Sequence, residues 1–140
     1  MPAGRTVLFL CVANSARSQM AEGLARELLP KQHTFHSAGS CPGSLNPFAV
    51  KAMAEIGIDI SGHHSKAIDS LPIDEVGVVI TLCAEEVCPT FSRAVEKVHW
   101  PFDDPAAAEG KDDAILRSFC RVRDELRAAL LEGAAQLSLV

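Results

Sequence analysis

The 140-residue sequence contains no tyrosine, a single tryptophan and six phenylalanines. A deep aromatic-lined slot is hard to build from so few rings. The chain also lacks a basic excess. Thirteen Lys and Arg stand against eighteen Asp and Glu, a formal net charge of −5. Phosphate backbones need a basic face, so nucleic acid is not expected as the main partner. No apolar run approaches the roughly 20 residues that span a bilayer, so no membrane partner is expected. The short apolar run at 6–12 has no small-residue cleavage site after it, and no signal peptide is expected. Internal repeats, low-complexity tracts and linkers are missing too. The richest turn segment, Gly39-Ser40-Cys41-Pro42-Gly43-Ser44, is too short to separate domains. A single domain over 1–140 is therefore expected, long enough to bury a core without disulfide staples.

What the chain does have is 48% hydrophobic and 22% charged residues, the balance of a globular protein. It has five cysteines, Cys11, Cys41, Cys83, Cys88 and Cys120. An odd count fits a reducing cytosol better than a secreted disulfide framework, so a cytoplasmic location is expected.

Apolar runs and helical patterns alternate along the chain. Val7-Leu8-Phe9-Leu10 reads as a buried strand. Met20, Leu24 and Leu28 recur every four positions, which predicts an amphipathic helix over 19–29. A weak strand follows at 33–37. Asn46 before Pro47 is a helix cap and first turn, and the helix is expected over 47–56. Strands are predicted over 77–82 and 95–100. A long helix is predicted over 112–131, with Ile115, Phe119, Val122, Leu126 and Leu130 on one face and Gly133 as its stop. This order implies an α/β domain with a mostly parallel sheet covered on both faces. Ligands of such sheets bind beyond the carboxyl ends of strands. That points to the segments after Leu10, Leu82 and Trp100.

The first segment is Cys11-Val12-Ala13-Asn14-Ser15-Ala16-Arg17-Ser18. A tight loop between strand and helix can curl its amides toward one point, and the helix N-terminus adds positive potential. Val12, Ala13, Asn14, Ser15, Ala16, Arg17 and Ser18 are the candidate oxyanion-binding residues. Arg17 supplies a planar fork for a tetrahedral oxyanion. The same field favours the thiolate of Cys11, a nucleophile. Ser18 can donate to that sulfur. Asn14 tolerates left-handed backbone and can tie the loop to its neighbours. The bland alternative is a buried strand-end cysteine and a helix-cap arginine. The second segment, Cys83-Ala84-Glu85-Glu86-Val87-Cys88, offers two thiols that can close a disulfide if their Cα atoms come within roughly 7 Å. They can also be structural cysteines, or half of a metal site with His99. The third, Asp103-Asp104-Pro105, offers a carboxylic acid, or simply a turn.

Cys11 to Glu22, Cys-Val-Ala-Asn-Ser-Ala-Arg-Ser-Gln-Met-Ala-Glu, resembles the nucleophile loop of low-molecular-weight protein tyrosine phosphatases. It is closer still to the thioredoxin-coupled arsenate reductases built on that fold. The resemblance continues through Ser37-Ala38-Gly39, Gly57-Ile58-Asp59-Ile60-Ser61, Val79-Ile80-Thr81-Leu82-Cys83 and His99 to Ala106, nearly the whole chain. It implies a three-layer α/β fold with a four-stranded parallel sheet flanked by helices. It implies arsenate reduction, with phosphate or sulfate as competitors and no cofactor. Cys11 would be the nucleophile and Asp104 the general acid, with Asp103 a loop-shaping or solvated residue. Cys83 and Cys88 would complete a triple-cysteine relay regenerated by thioredoxin or a similar dithiol protein. In the resembling enzymes six residues usually separate the relay cysteines; here four do. Phosphatases usually carry aromatic residues after the proline, where this chain has Ala106-Ala107-Ala108, which favours a small inorganic oxyanion. The alternatives are a low-molecular-weight phosphatase and a non-catalytic oxyanion or redox sensor.

Some of these reductases bind potassium beside the nucleophile loop. The matching positions are Asn14, Glu22, Ser37 and a residue in the Ser65-Lys66 stretch, and the family's metal-binding carboxylate falls at Lys66, which can also be simply a solvated surface charge. The resemblance thus implies a cation-site remnant, with the Lys66 ammonium in place of the metal and paired with Glu22. Cys41 is expected to be incidental, Cys120 a packed helix cysteine, and His63-His64 a surface loop. Cys88 to Arg93 resembles a second anion loop but has only four intervening residues and a proline, and is discounted.

Overall fold

The computed structural model describes residues 4–84, 91 and 93–140. Among these residues four strands and three α-helices follow one another: β1 (Thr6–Cys11), α1 (Arg17–Leu28), β2 (Thr34–Gly39), α2 (Pro47–Ala54), β3 (Val78–Thr81), β4 (Glu96–His99) and α3 (Asp112–Gly133). The strands form one sheet in the order β2-β1-β3-β4, and every neighbouring pair is parallel.

The continuous apolar run of β1 is explained by its central place. Val7, Leu8, Phe9 and Leu10 are all fully buried. Their odd and even positions feed two different clusters. Val7 and Phe9, with Val78 and Ile80, face α1, α2 and α3 through Met20, Leu24, Met53, Phe119, Val122 and Leu126. Leu8, Leu10 and Val79 face a thinner layer of Phe91 and the 3₁₀ turns Ile68–Ser70 and Ile73–Glu75. The three layers are thus helices, sheet and turns. Each fully buried Leu, Met or Phe contributes roughly 1.5–3 kcal/mol of transfer free energy.

Local chemistry sets the helix ends. Asn46 caps α2 by accepting the Phe48 amide at 2.8 Å, with Pro47 in the first turn. α1 begins at Arg17, two residues before its apolar pattern, because Met20 N already donates to Ala16 O at 2.9 Å. β2 runs on to Gly39 because the parallel register pairs Gly39 with Cys11. Gly133 does not stop α3 through a left-handed turn. It is the last helical residue, and a Cβ there would lie 2.7 Å from Trp100 Cζ2. It is glycine so that Trp100 can pack against the helix.

A parallel sheet sends the ends of all its strands to one edge. The segments after β1, β3 and β4 therefore meet. Trp100 N donates to Thr81 O at 2.9 Å, and Phe102 N to Leu82 O at 3.1 Å, which carries the third segment up beside the second. Among the described residues no helix is long and apolar enough to cross a membrane.

Candidate active site

Cys11 is the last residue of β1 and is buried. Five residues later α1 begins at Arg17. The chain reverses in that space by placing Asn14 in the left-handed region, φ 51°. An amide side chain is among the few that tolerate this. The Asn14 amide then donates to the Cys11 sulfur at 3.3 Å. Ser18 Oγ lies 2.9 Å from the same sulfur, and Asn14 Nδ2 donates to that hydroxyl at 2.7 Å. An amide and a hydroxyl thus converge on the sulfur, and with the hydroxyl donating this is the pattern that stabilises a thiolate.

The carbonyls of the loop point away from the sulfur's hollow. Ser65 Oγ donates to Asn14 O at 2.7 Å, and Gln19 Nε2 at 3.1 Å. Those of residues 12, 13 and 15 accept amides of the segment after β2. A trans peptide with its oxygen tied outward presents its N–H on the opposite side. The result is a cavity of about 190 Å³ lined by Cys11, Val12, Ala13, Ser15, Ala16, Arg17 and Asp104. Asn14 and Ser18 do not line it. Asn14 is turned outward by its own backbone conformation, and Ser18 approaches the sulfur from the first turn of α1. Their place is behind the cradle rather than in it.

Arg17 is almost wholly buried, with its side chain 5% exposed. Nη1 donates to Phe102 O at 3.0 Å, and Nη2 lies 3.9 Å from Asp104 Oδ2. The third segment thereby fixes the guanidinium over the hollow. Asp104 is set at the start of a 3₁₀ turn, Pro105–Ala107, where its Oδ1 accepts the Ala106 amide at 3.0 Å. Asp103 is exposed and does not line the cavity. No aromatic side chain lines it either among the described residues.

In the second segment Cys83 is fully buried, two positions past the end of β3. Register pairs Leu10 with Thr81, so Cys11 and Cys83 stand at the ends of neighbouring strands. Cys88 lies outside the described residues. Among the described residues no group of three His, Cys, Asp or Glu could hold a metal ion. His99 instead pairs its Nδ1 with Thr81 Oγ1 at 2.8 Å. Cys41 is exposed and Cys120 is half-buried, its sulfur donating to Glu55 Oε1 at 3.4 Å.

Behind the cradle sits a buried carboxylate, Glu22, only 4% exposed. Ser37 Oγ donates to Oε1 at 2.5 Å, and Arg26 Nη2 pairs with Oε2 at 3.0 Å. Lys66 Nζ reaches to 3.7 Å of Oε1 and donates to His64 O at 3.0 Å. The Lys66 backbone amide donates to Asn14 Oδ1 at 2.9 Å. The four residues matched to a cation site therefore do come together. Burial lowers the affinity of Lys66 for its proton, opposed by Glu22 and reinforced by Arg26. His63 is not a plain surface residue: Nδ1 pairs with Gln19 Oε1 at 3.1 Å and lies 3.9 Å from Glu22 Oε2. The amide oxygen can only accept, so Nδ1 carries the hydrogen. Burial also holds the His63 and His36 imidazoles below their ordinary pKa.

Residues 6–138 match the family described as low molecular weight phosphotyrosine protein phosphatase. The chain belongs to that family. An arsenate reductase of Halalkalibacterium halodurans is 48% identical over 124 residues, 87% of this chain and 89% of the relative. A solved arsenate reductase in a phosphate-binding state superposes with a TM-score of 0.78 at 32% identity, over 94% of this chain and 98% of that one. A thioredoxin-dependent arsenate reductase of Corynebacterium glutamicum matches with a TM-score of 0.69 at 28% identity, over 97% of this chain and 64% of that one.

In this family member the motif marks the cradle residues but not Gln19, and Ser65 falls only within the 65–66 stretch matched to a cation site. Both act on Asn14 O, one from the helix and one from 51 residues away. Gln19 sits beside the motif with no feature of its own. Ser65 belongs to a distant segment, and only the fold brings it in.

Proposed function

We propose that this chain is an arsenate reductase working by a triple-cysteine relay, reduced in turn by thioredoxin or a similar dithiol protein. The observation that carries the reading is the small hollow with a cysteine sulfur in its lining, ringed by outward-tied peptides, a buried arginine and an acid, with no aromatic wall among the described residues. Its roughly 190 Å³ suits a tetrahedral oxyanion. The naming of close relatives as arsenate reductases supports the same substrate. A thiol-driven cycle suits the reducing cytoplasm.

In this reading the loop amides and Arg17 hold arsenate while the Cys11 thiolate attacks arsenic(V). Asp104 gives a proton to the leaving oxygen, which departs as water. The product is a Cys11–arsenic(V) adduct. The thiolate of Cys83 then attacks the Cys11 sulfur, and the arsenic leaves with the electron pair as arsenite. Arsenic gains two electrons, and the two thiols become a Cys11–Cys83 disulfide. Attack by Cys88 on Cys83 moves the disulfide to Cys83–Cys88 and releases Cys11. The external dithiol then reduces Cys83–Cys88. Cys11 ends β1 and Cys83 lies two positions past the same end of the neighbouring parallel strand, which supports the first exchange.

Cys83→Ser tests it. Steady-state arsenate reduction with a thioredoxin system should vanish, while slow hydrolysis of an aryl phosphate survives because the cradle is intact. Reduction that persists in the variant sinks the relay. Aryl phosphate hydrolysis as the dominant activity of the unaltered protein favours the phosphatase reading. A single oxidation per chain without turnover favours a sensor.

A further inference from the structure

The turn segment after β2 has no chemistry of its own, yet it runs along the outside of the nucleophile loop. Three of its amides end on that loop's carbonyls. Cys41 N donates to Val12 O, Gly43 N to Ala13 O and Asn46 N to Ser15 O, each at 2.9 Å. Residues 40–44 are exposed. Their side chains bury little, so their energetic role lies in the backbone.

The composition of the segment fits that task. Gly39 lies against the loop so closely that a Cβ would sit 2.3 Å from Val12 O and 3.0 Å from Asn14 N. Glycine alone allows the contact. Pro42 stands between the donating amides of Cys41 and Gly43 and has no N–H to leave unpaired. The other side of Gly39 is held by its own amide, which donates to Lys66 O at 2.9 Å. The segment is therefore anchored independently of the loop it touches.

We propose that residues 39–46 are a positioning element of the oxyanion site: a backbone brace that holds the Val12, Ala13 and Ser15 carbonyls outward so that their peptides present N–H groups to the anion. Without it, each peptide plane can rotate and turn an oxygen into the hollow, where it repels both the anion and the Cys11 thiolate. The inference rests on the cradle reading above and adds a set of residues that never touch the substrate.

The test compares Gly43→Pro, which deletes one brace amide, with Gly43→Ala, which keeps it. An alanine Cβ at 43 meets only Ala13 Cβ at 3.8 Å, an ordinary contact. Orthophosphate is the probe, read as protection of Cys11 from alkylation by iodoacetamide. In Gly43→Pro the phosphate concentration for half-protection should rise about fivefold or more, with alkylation of Cys11 slowed, while Gly43→Ala stays within about twofold of the unaltered protein. Gly39→Ala should act in the same direction, since its Cβ forces loop and brace apart. A merely structural role lowers the melting temperature of these variants without moving phosphate protection, and that result overturns the brace. Equal loss in Gly43→Ala and Gly43→Pro overturns it too. No phosphate protection even in the unaltered protein sinks the cradle reading and the brace with it.

Discussion

The Ser18 hydroxyl lies 2.9 Å from the Cys11 sulfur while its oxygen accepts Asn14 Nδ2 at 2.7 Å. A thiolate has no proton to give, so against a charged Cys11 the hydroxyl must donate. Asn14 fixes its direction. A buried hydrogen bond to a charged group is worth roughly 1.5–3 kcal/mol. Ser18→Ala should therefore slow Cys11 alkylation at neutral pH, and arsenate turnover, by about 10- to 100-fold. Ser18→Thr keeps a hydroxyl and should recover part of the loss. Undiminished alkylation in Ser18→Ala would show that the loop amides alone hold the thiolate.

Lys66 and Glu22 make a different kind of pair, an ammonium 3.7 Å from a buried carboxylate oxygen. If the ammonium takes the place of a bound metal, turnover should differ by less than about twofold between sodium and potassium at equal ionic strength, since the site already holds its cation. Lys66→Asp should make the rate potassium-dependent, because two carboxylates then need a counter-charge. Strong potassium activation of the unaltered protein defeats this account.

His63 and His36 face the same buried carboxylate. Burial is the main cause holding both imidazoles below their ordinary pKa, with Arg26 and Lys66 adding repulsion and Glu22 opposing. The folded form therefore binds fewer protons than the unfolded chain as the pH drops through about 6.5 and below. Stability rises with pH across that window and is lost on acidification. Replacing both histidines by glutamine should flatten the fall in melting temperature between pH 7 and pH 5. An unchanged slope assigns the acid loss to other groups.

Gly133→Ala tests a helix glycine kept for packing. Alanine is ordinarily favoured in a helix by about 1 kcal/mol. Here its Cβ would lie 2.7 Å from the Trp100 ring. The variant should be destabilised, by about 1–3 kcal/mol in chemical denaturation. A gain in stability would mean that Trp100 yields easily.

The sequence by itself determined the element order, the cradle motif and the presence at 14 of a residue that tolerates left-handed backbone. These are local properties: apolar periodicity, capping chemistry at Asn46 and the spacing from Cys11 to Arg17 do not depend on what is far away. Tertiary structure alone decided that Phe102 O anchors Arg17, that Ser65 and Gln19 secure Asn14 O, and that an unremarkable glycine-rich turn backs the loop. Those contacts join segments up to 85 residues apart. Each of them ends on a backbone carbonyl, which every residue type carries alike, so the identity of the accepting residue leaves no trace of it.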